Sequence, residues 1–251
     1  MTDPAYLPRP DGERIAYRRS TGRGPGLVWL GGFRSDMTGT KAEALAAWAE
    51  SNDRPFLRFD YFGHGASSGN FADGTISRWR DDALAVIDWL TEGPQILVAS
   101  SMGGWIATLL AEARPERIAA MVLIAPAPDL TELLMWDRMP AEVRRAVMED
   151  GLWQYQPDGG DGYPITRALI EDGRKCLVLG KVLKVHGPVR ILHGDIDQDV
   201  AWQHGLRLMD VLTGDVTFTL VQGADHRMSS AANLALIART VEGVLKDLES
   251  C

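Results

Sequence analysis

The sequence predicts an α/β fold in which helices flank a mostly parallel sheet. Apolar runs of strand length alternate with longer segments of helical periodicity up to about residue 125, and the alternation resumes near residue 189. Such alternation is typical of parallel sheets, because each strand is joined to the next by a helical crossover. A chain of 251 residues, 45% hydrophobic and 24% charged, has the length and composition of a globular protein with a substantial core.

The predicted strands are short apolar runs that end at glycine, aspartate or other turn residues. The first follows the turn Asp11-Gly12 and alternates in the manner of an edge strand, whereas the later ones are continuously apolar and predict burial on both faces. The strands are expected at 14–18, 27–30, 56–60, 96–99, 118–125, 189–192 and 216–221, and the main helices at 41–50, 76–90, from 103 onward, 201–211 and 232–248.

Residues 127–186 interrupt this pattern and are predicted to form a helical lid inserted after the sixth strand, with 1–126 and 187–251 forming the core. Helical segments are expected at 130–138, 141–149 and 165–175, and a turn at 158–162. Large apolar side chains in such an insert either pack it onto the core or line a substrate pocket. Met135, Trp136 and Trp153 are the residues proposed to line the pocket.

Composition and charge exclude several classes of function. The formal net charge of −8 argues against nucleic acid or an anionic membrane as a partner. The N-terminal segment has no apolar core of a signal peptide, and no stretch approaches the length of a membrane span, so a cytoplasmic protein is expected. Cys176 and Cys251 provide neither a disulfide framework nor a metal-binding spacing, and neither a metal nor a cofactor is expected.

The segment Ala99-Ser100-Ser101-Met102-Gly103 lies between a predicted strand and a predicted helix. Small residues two positions before and after Ser101 permit the sharp bend of a nucleophile elbow, which presents a serine hydroxyl above the sheet. The alternative is an ordinary helix start with Ser101 as its N-cap. The order of the other motifs favours the elbow.

Gly31-Gly32-Phe33 ends an earlier buried strand and can turn its backbone amides toward the same edge of the sheet. The amides of Phe33 and Met102 are therefore the predicted donors of an oxyanion hole, with the partial positive charge of the helix N-terminus beside them. A plain strand-to-loop turn is the alternative.

A glycine- and serine-rich loop at 61–69 follows the strand at 56–60. It lacks the Lys-Ser/Thr of a phosphate-binding loop and the spacing of a dinucleotide-binding motif, so nucleotide binding is not predicted. His64 within it is interpreted as a residue that braces the loop rather than as a ligand.

An acidic loop and a terminal histidine complete a Ser…Asp…His order. Asp195, Asp197 and Asp199 follow one late strand, and His226 follows the last. This is the chain order of the catalytic triad in the α/β-hydrolase fold, in which serine attacks, histidine transfers the proton and aspartate orients the imidazole. Asp225 is a poor candidate because neighbouring residues rarely present their side chains to each other.

Several segments resemble the mitochondrial abhydrolase-domain palmitoyl-protein thioesterases, which are also described as acyl-glucuronide esterases. They are GGFRSDMTGTKA at 31–42, RFDYFGHGASSGNF at 58–71, GPQILVASSMGGW at 93–105, RILHGDIDQDV at 190–200 and DHRM at 225–228. The resemblance covers nearly the whole chain and implies that Asp197 is the triad acid. It departs at Ala99 and Gly31, where that family usually has Gly and either Pro or His, and the missing transit peptide suggests a bacterial relative.

The leading hypothesis is a serine hydrolase that cleaves esters or thioesters of an apolar acyl group. Ser101, His226 and Asp197 would form the triad, and the resemblance implies acyl glucuronides or S-acyl cysteines as substrates. A carbon–carbon bond hydrolase, a promiscuous carboxylesterase and a non-catalytic ligand-binding protein are the alternatives. A small-molecule or acyl substrate is the expected partner, and the sequence leaves the oligomeric state open.

Overall fold

The computed structural model describes residues 3–157 and 161–250, so Asp158, Gly159 and Gly160 of the predicted turn lie outside the described residues. The strands are β1 (Ala5–Pro8), β2 (Arg14–Ser20), β3 (Gly26–Leu30), β4 (Phe56–Phe59), β5 (Gln95–Ser100), β6 (Ile118–Ile124), β7 (Leu152–Tyr155), β8 (Tyr163–Thr166), β9 (Leu183–Lys184), β10 (Val189–Gly194), β11 (Leu212–Thr213) and β12 (Val216–Val221). The α-helices are α1 (Thr40–Ser51), α2 (Ile76–Leu90), α3 (Met102–Ala113), α4 (Ala141–Glu149), α5 (Arg167–Gly173), α6 (Trp202–Val211) and α7 (Ala231–Glu249).

Eight strands form the main sheet in the order β1-β2-β4-β3-β5-β6-β10-β12. The pairs β1–β2 and β2–β4 are antiparallel, and the remaining neighbours are parallel. The predicted mostly parallel sheet is therefore confirmed. β5 lies between β3 and β6, and all six of its residues are buried, as expected for a strand covered on both faces.

Alternate residues of β5 face two separate hydrophobic cores. Leu97 and Ala99 belong to the core that contains the buried tryptophans of α2 and α3, whereas Ile96 and Val98 belong to the core under α1 and α7. This arrangement follows from the two-residue period of a strand, which sends successive side chains to opposite faces. Within the described ranges, no helix combines the length and apolar character that a membrane crossing requires.

The segment 127–186 is here called the insert. It was predicted to be helical, but it also contains strands. β7 and β8 form an antiparallel hairpin in it, with Trp153 opposite Ile165. The period-2 pattern explains the hairpin, since β7 alternates exposed and half-buried side chains. Two of the predicted helices also differ: the first is a π-helix at Leu130–Met135 followed by a 3₁₀ turn, and the last begins at Arg167 rather than at 165.

One buried carboxylate joins the start of the insert to a segment near its end. Asp129 has a positive φ of 54° and is 3% exposed, and its carboxylate accepts hydrogen bonds from Val178 N at 2.7 Å and Leu179 N at 3.1 Å. Residues 129–179 therefore form a loop that these hydrogen bonds close. Between these ends, Met139, Val147, Ile165 and Ile170 form a small core of their own, separate from the two cores of the sheet.

Candidate active site

Ser101 occupies the turn between β5 and α3 with φ 54° and ψ −121°. A positive φ is strained for a residue with a side chain, so the surroundings have to hold it. Its amide donates to Ile124 O at 3.0 Å, and its carbonyl oxygen accepts from Gly104 N at 2.9 Å and Ala127 N at 3.0 Å. Gly103 is required here, because a Cβ would overlap Leu30 O and come within 2.6 Å of Gly31 O.

A continuous line of hydrogen bonds runs from Ser101 through His226 to Asp197. His226 Nε2 lies 3.1 Å from Ser101 Oγ, and His226 Nδ1 lies 2.7 Å from Asp197 Oδ2. Because Asp197 accepts at Nδ1, that nitrogen carries the ring proton, which leaves Nε2 free to accept the serine proton. The structure thus brings together three residues that the sequence separates by up to 125 positions.

The Asp197 carboxylate is buried and receives several hydrogen bonds. Its Oδ1 accepts from Asp199 N at 2.9 Å and Val200 N at 2.8 Å, and its Oδ2 also lies 3.2 Å from His193 Nε2. Burial acts to raise the pKa of Asp197, but the hydrogen bonds from His193, His226 and Val200 N outweigh it and hold that pKa well below its usual range. The carboxylate is therefore ionised, the state in which it orients a histidine.

The loop after β3 lies directly against Ser101. A Cβ added to Gly32 would come 3.3 Å from the Ser101 Cβ, so the backbone of this loop approaches the serine closely. The Phe33 amide follows Gly32, and the Met102 amide opens α3. Neither of these N–H groups donates to another backbone group of the described chain. Unpaired amides beside a serine hydroxyl provide donors for a developing oxyanion.

Comparisons with known proteins place the chain in a family. The family model described as serine aminopeptidase, S33, matches residues 32–158. Mitochondrial palmitoyl-protein thioesterase ABHD10 of Homo sapiens is 35% identical over 254 residues, covering 99% of this chain and 82% of that protein. The chain belongs to the α/β-hydrolase family. It is an ester-cleaving hydrolase of the kind predicted from its sequence.

Two solved structures of related α/β-hydrolases have the same fold over almost the full chain. The mouse alpha/beta hydrolase domain-containing protein 10 superposes with a TM-score of 0.90 at 35% identity, covering 98% of this chain and 100% of that one. A putative hydrolase from Agrobacterium vitis S4 superposes with a TM-score of 0.91 at 39% identity, covering 98% of both chains. The expected α/β-hydrolase fold is thus confirmed.

The three competing aspartates of this hydrolase have different contacts. Asp197 contacts His226, whereas Asp195 Oδ1 accepts from Gly223 N at 2.6 Å and the Asp199 amide donates to Asp197. Asp197, Asp199 and His226 hold potential metal-ligand atoms within 4.8 Å of one another. Within this group, hydrogen bonds join Asp197 to the His226 ring and to the Asp199 amide. Asp225 accepts from Met228 N at 2.9 Å and so braces the loop that carries His226.

A cavity of about 390 Å³ opens beside Ser101 and His226. Phe33 and Trp29 form part of its apolar wall, and Lys41 and Arg227 contribute polar groups. Lys41 Nζ donates to Arg227 O, which links α1 to the loop that carries His226. Burial lowers the pKa of Lys41 to about 8, with the neighbouring charge of Arg227 acting in the same direction and Asp225 opposing it.

The three insert residues proposed to contact substrate lie elsewhere in this structure. Met135, Trp136 and Trp153 pack around the small core of the insert, and none of them lines the cavity beside Ser101. The insert reaches the site through Tyr163 instead, whose ring centroid is 5.5 Å from that of Phe33. Because Tyr163 belongs to the hairpin that the sequence analysis did not predict, its contact with Phe33 was not predicted either.

Proposed function

We propose that this hydrolase cleaves carboxylic ester and thioester bonds through a Ser101–His226–Asp197 triad and a covalent acyl-enzyme. The observation that carries the proposal is the line of hydrogen bonds from Ser101 Oγ to His226 at 3.1 Å and from His226 to Asp197 at 2.7 Å. Each member has the neighbour that its role requires, and the carboxylate is held in its ionised form.

In the first half-reaction, Ser101 Oγ attacks the carbonyl carbon while His226 Nε2 takes its proton. The negative charge that develops on the carbonyl oxygen is stabilised by the amides of Phe33 and Met102. Collapse of this tetrahedral intermediate breaks the bond to the leaving oxygen or sulfur, which receives the proton from His226. Water then repeats the sequence on the acyl-enzyme, with His226 as its base, and releases the acid.

An acyl group with an apolar part is the proposed substrate. The related proteins include a mitochondrial palmitoyl-protein thioesterase, which supports a long-chain acyl thioester or ester as the substrate here. We assign residues 1–126 and 187–251 to the catalytic core and residues 127–186 to a lid over the acyl chain. The contact between Tyr163 and the Phe33 ring supports this, because it seats the insert beside a proposed oxyanion donor. The free buried thiol of Cys176 fits a reducing compartment such as the cytoplasm.

Hydrolysis of p-nitrophenyl esters and acyl thioesters of graded chain length tests the proposal. We expect wild-type protein to show a chain-length optimum, and Ser101→Ala to lose roughly 10⁶-fold in kcat, as when a triad serine is removed. Fluorophosphonate labelling at Ser101 provides an independent readout of the activated hydroxyl. Cleavage of carbon–carbon bonds without ester hydrolysis would favour the alternative chemistry on the same triad. Absence of both hydrolysis and labelling would favour a ligand-binding protein.

A further inference from the structure

The loop that carries Phe33 is held by the loop that follows β4. Asp60 Oδ1 accepts from Met37 N at 2.6 Å, and His64 Nε2 accepts from Arg34 N at 3.1 Å. Asp60 and His64 are 2% and 4% exposed, so both acceptor side chains are buried, whereas the donor residue Arg34 is itself exposed. The two side chains thus fix the backbone of this loop at two points, on the C-terminal side of Phe33.

The hydrogen-bond partners of His64 define which ring nitrogen carries its proton. His64 Nδ1 lies 3.1 Å from the carbonyl oxygen of Phe62, which can only accept, so Nδ1 is the donor. Nε2 is then the acceptor, as the Arg34 N–H requires. Burial lowers the pKa of His64, and the nearby Arg34 charge acts in the same direction, against the opposing effect of the bond to Phe62. A neutral imidazole with the proton on Nδ1 fits both neighbours.

The bond to Arg34 stabilises a backbone conformation that the chain does not favour by itself. Arg34 has a φ of 58°, in the left-handed region that is strained for a residue with a side chain. The hydrogen bond from its amide to His64 opposes that strain. The peptide unit that carries the Arg34 N–H begins at the carbonyl group of Phe33, so fixing it restricts the orientation of Phe33 itself.

The rings of Phe33 and His64 also share their packing partners. The Phe33 ring centroid lies 5.1 Å from Phe71 and 5.8 Å from Trp79, and that of His64 lies 5.2 Å from each. Trp79 is fully buried, and its indole N–H donates to Phe62 O at 3.1 Å, the same oxygen that His64 contacts. The imidazole is therefore held in one orientation by aromatic contacts as well as by its hydrogen bonds.

We propose that His64 is a positioning residue for the oxyanion hole. Its side chain accepts a hydrogen bond from the Arg34 amide and thereby holds the preceding amide, that of Phe33, in place. The inference rests on the proposed esterase function, because it assigns a role within the same site. An oxyanion donor acts only when it points to where the charge develops, so a small rotation of this loop reduces kcat more than substrate binding.

Two substitutions of similar size separate this role from simple packing. His64→Gln places an amide oxygen near the position of Nε2, where it can accept from Arg34 N. His64→Asn places an N–H near the position of Nδ1, where it can donate to Phe62 O. Its side chain is too short to bring an acceptor to Arg34 N. We expect His64→Asn to lower kcat at least about tenfold with KM nearly unchanged, a part of the roughly 10²–10³-fold cost of losing a donor. His64→Gln should retain most of kcat.

Affinity for an alkyl boronic acid, which forms a tetrahedral adduct with the serine, should fall in parallel with kcat in His64→Asn and recover in His64→Gln. Thermal unfolding provides the control for packing. Equal kcat in wild type and His64→Asn would overturn the proposal. A loss of kcat that is equal in both variants and follows their melting temperatures would also overturn it, since rescue by an acceptor is its distinguishing feature.

A readout without substrate separates this inference from the proposed function. In ¹⁵N-labelled protein, His64 should show the NMR shifts of a neutral ring with a proton on Nδ1 and an acceptor at Nε2. A proton on Nε2 would overturn the inference even if the enzyme hydrolyses esters. If Ser101-dependent hydrolysis is absent from wild type, the proposed function fails, and with it the catalytic role of His64, whereas the ring tautomer remains measurable.

Discussion

His193 Nε2 lies 3.2 Å from Asp197 Oδ2 and 2.9 Å from Val200 O, so a single N–H faces two oxygens of the acidic loop. His193 is completely buried at the end of β10, and its Nδ1 has no hydrogen-bond partner among the described residues. The histidine thus supports the Asp197 carboxylate, which in turn is hydrogen-bonded to His226.

Removal of the charge at Asp197 should lower kcat far more than removal of the charge at Asp195 or Asp199. We expect Asp197→Asn to lower kcat on the order of 10⁴-fold, as the equivalent change does in a serine protease, because an amide does not hold the required histidine tautomer. Asp195→Asn and Asp199→Asn are matched controls and should retain kcat within about tenfold, since the described hydrogen bond to His226 Nδ1 comes from Asp197 and not from either of them. Steady-state kinetics on one p-nitrophenyl ester measures all three variants. A larger loss in either control than in Asp197→Asn would reassign the acid.

The support from His193 should appear in the pH dependence of stability. The pKa of Asp197 is lowered in the folded state, so its ionised form stabilises the protein above the usual 3.8, and this contribution is lost as the pH falls through the folded pKa. His193→Leu removes one of the hydrogen bonds. The stability advantage of wild type over His193→Leu should therefore be present at pH 7 and shrink below about pH 4. Urea unfolding of wild type and His193→Leu at pH 7 and below about pH 4 measures this difference in stability. His193→Gln, which keeps an N–H, is the control.

Asp82 should produce the opposite pH dependence. Its carboxylate is fully buried on α2, accepts from Phe62 N at 2.8 Å and lies 3.4 Å from Arg78 Nε and 3.5 Å from Arg9 Nε. Burial raises the pKa of Asp82 from 3.8 to about 6, against the lowering effects of that hydrogen bond and of both arginines. The stability due to its protonated form is complete below pH 3.8 and is lost as the pH rises through 6.

The Asp82→Asn variant removes this titration but keeps an acceptor for the Phe62 amide. Its free energy of unfolding, taken relative to wild type, should increase between pH 4 and pH 7 by at most about 3 kcal/mol, because one pKa unit corresponds to about 1.4 kcal/mol. Chemical denaturation across this range provides the measurement. A constant difference would show that Asp82 titrates at the same pH in the folded and unfolded chains.

Two glycines in helices should respond oppositely to alanine. In Gly103→Ala the new Cβ would overlap Leu30 O, a backbone atom that cannot move without displacing β3, so we expect a loss of about 1–3 kcal/mol and reduced kcat. Gly243 in α7 is exposed, and nothing lies within 4 Å of the position of its Cβ. Gly243→Ala should stabilise the protein by about 0.5–1 kcal/mol through helix propensity, with kcat unchanged. Thermal unfolding measures both variants. Stability changes of the same sign in the two variants would contradict this prediction.

Trp136 tests whether the large side chains of the insert contact substrate or only pack. The guanidinium groups of Arg174 and Arg144 lie 4.7 and 5.3 Å from the centre of its ring. We expect Trp136→Ala to lower stability by about 1–3 kcal/mol through lost packing, without changing the chain-length optimum of hydrolysis. A selective rise in KM for long acyl chains would instead support the predicted lining role. Met135→Ala and Trp153→Ala extend the same comparison.

The sheet and the candidate triad could be predicted because their signals are local and ordered. β5 is a continuous apolar run, Ser101 follows it between small residues, and His226 follows the last strand, so the topology of a parallel sheet brings the strand ends to one edge. The choice among Asp195, Asp197 and Asp199 could not be made from residue type. That choice depends on the geometry of the loop. Spacing left the three aspartates open, and the resemblance implied Asp197.

The insert and the supporting contacts could not be predicted with the same success. Alternation of Leu152, Trp153, Gln154 and Tyr155 is a strand signal, but four residues are too few to outweigh helical segments on either side. β1 is equally short and was not predicted. The bond between His64 and Arg34 joins two loops 30 residues apart, and no periodicity encodes such a contact. The general bracing role of His64 was predicted from its loop, but the identity of its partner, Arg34, required the three-dimensional structure.

Asp129 divides substitutions in the insert into two kinds. Its carboxylate accepts from the amides of Val178 and Leu179, so residues 129–179 form a loop that hydrogen bonds close at its base. The small core of the insert lies within that loop, so volume changes there can be absorbed without displacing the sheet. Leu169 and Cys176 instead belong to the core that contains the tryptophans of α2 and α3, so changes at these two positions would be transmitted to β5.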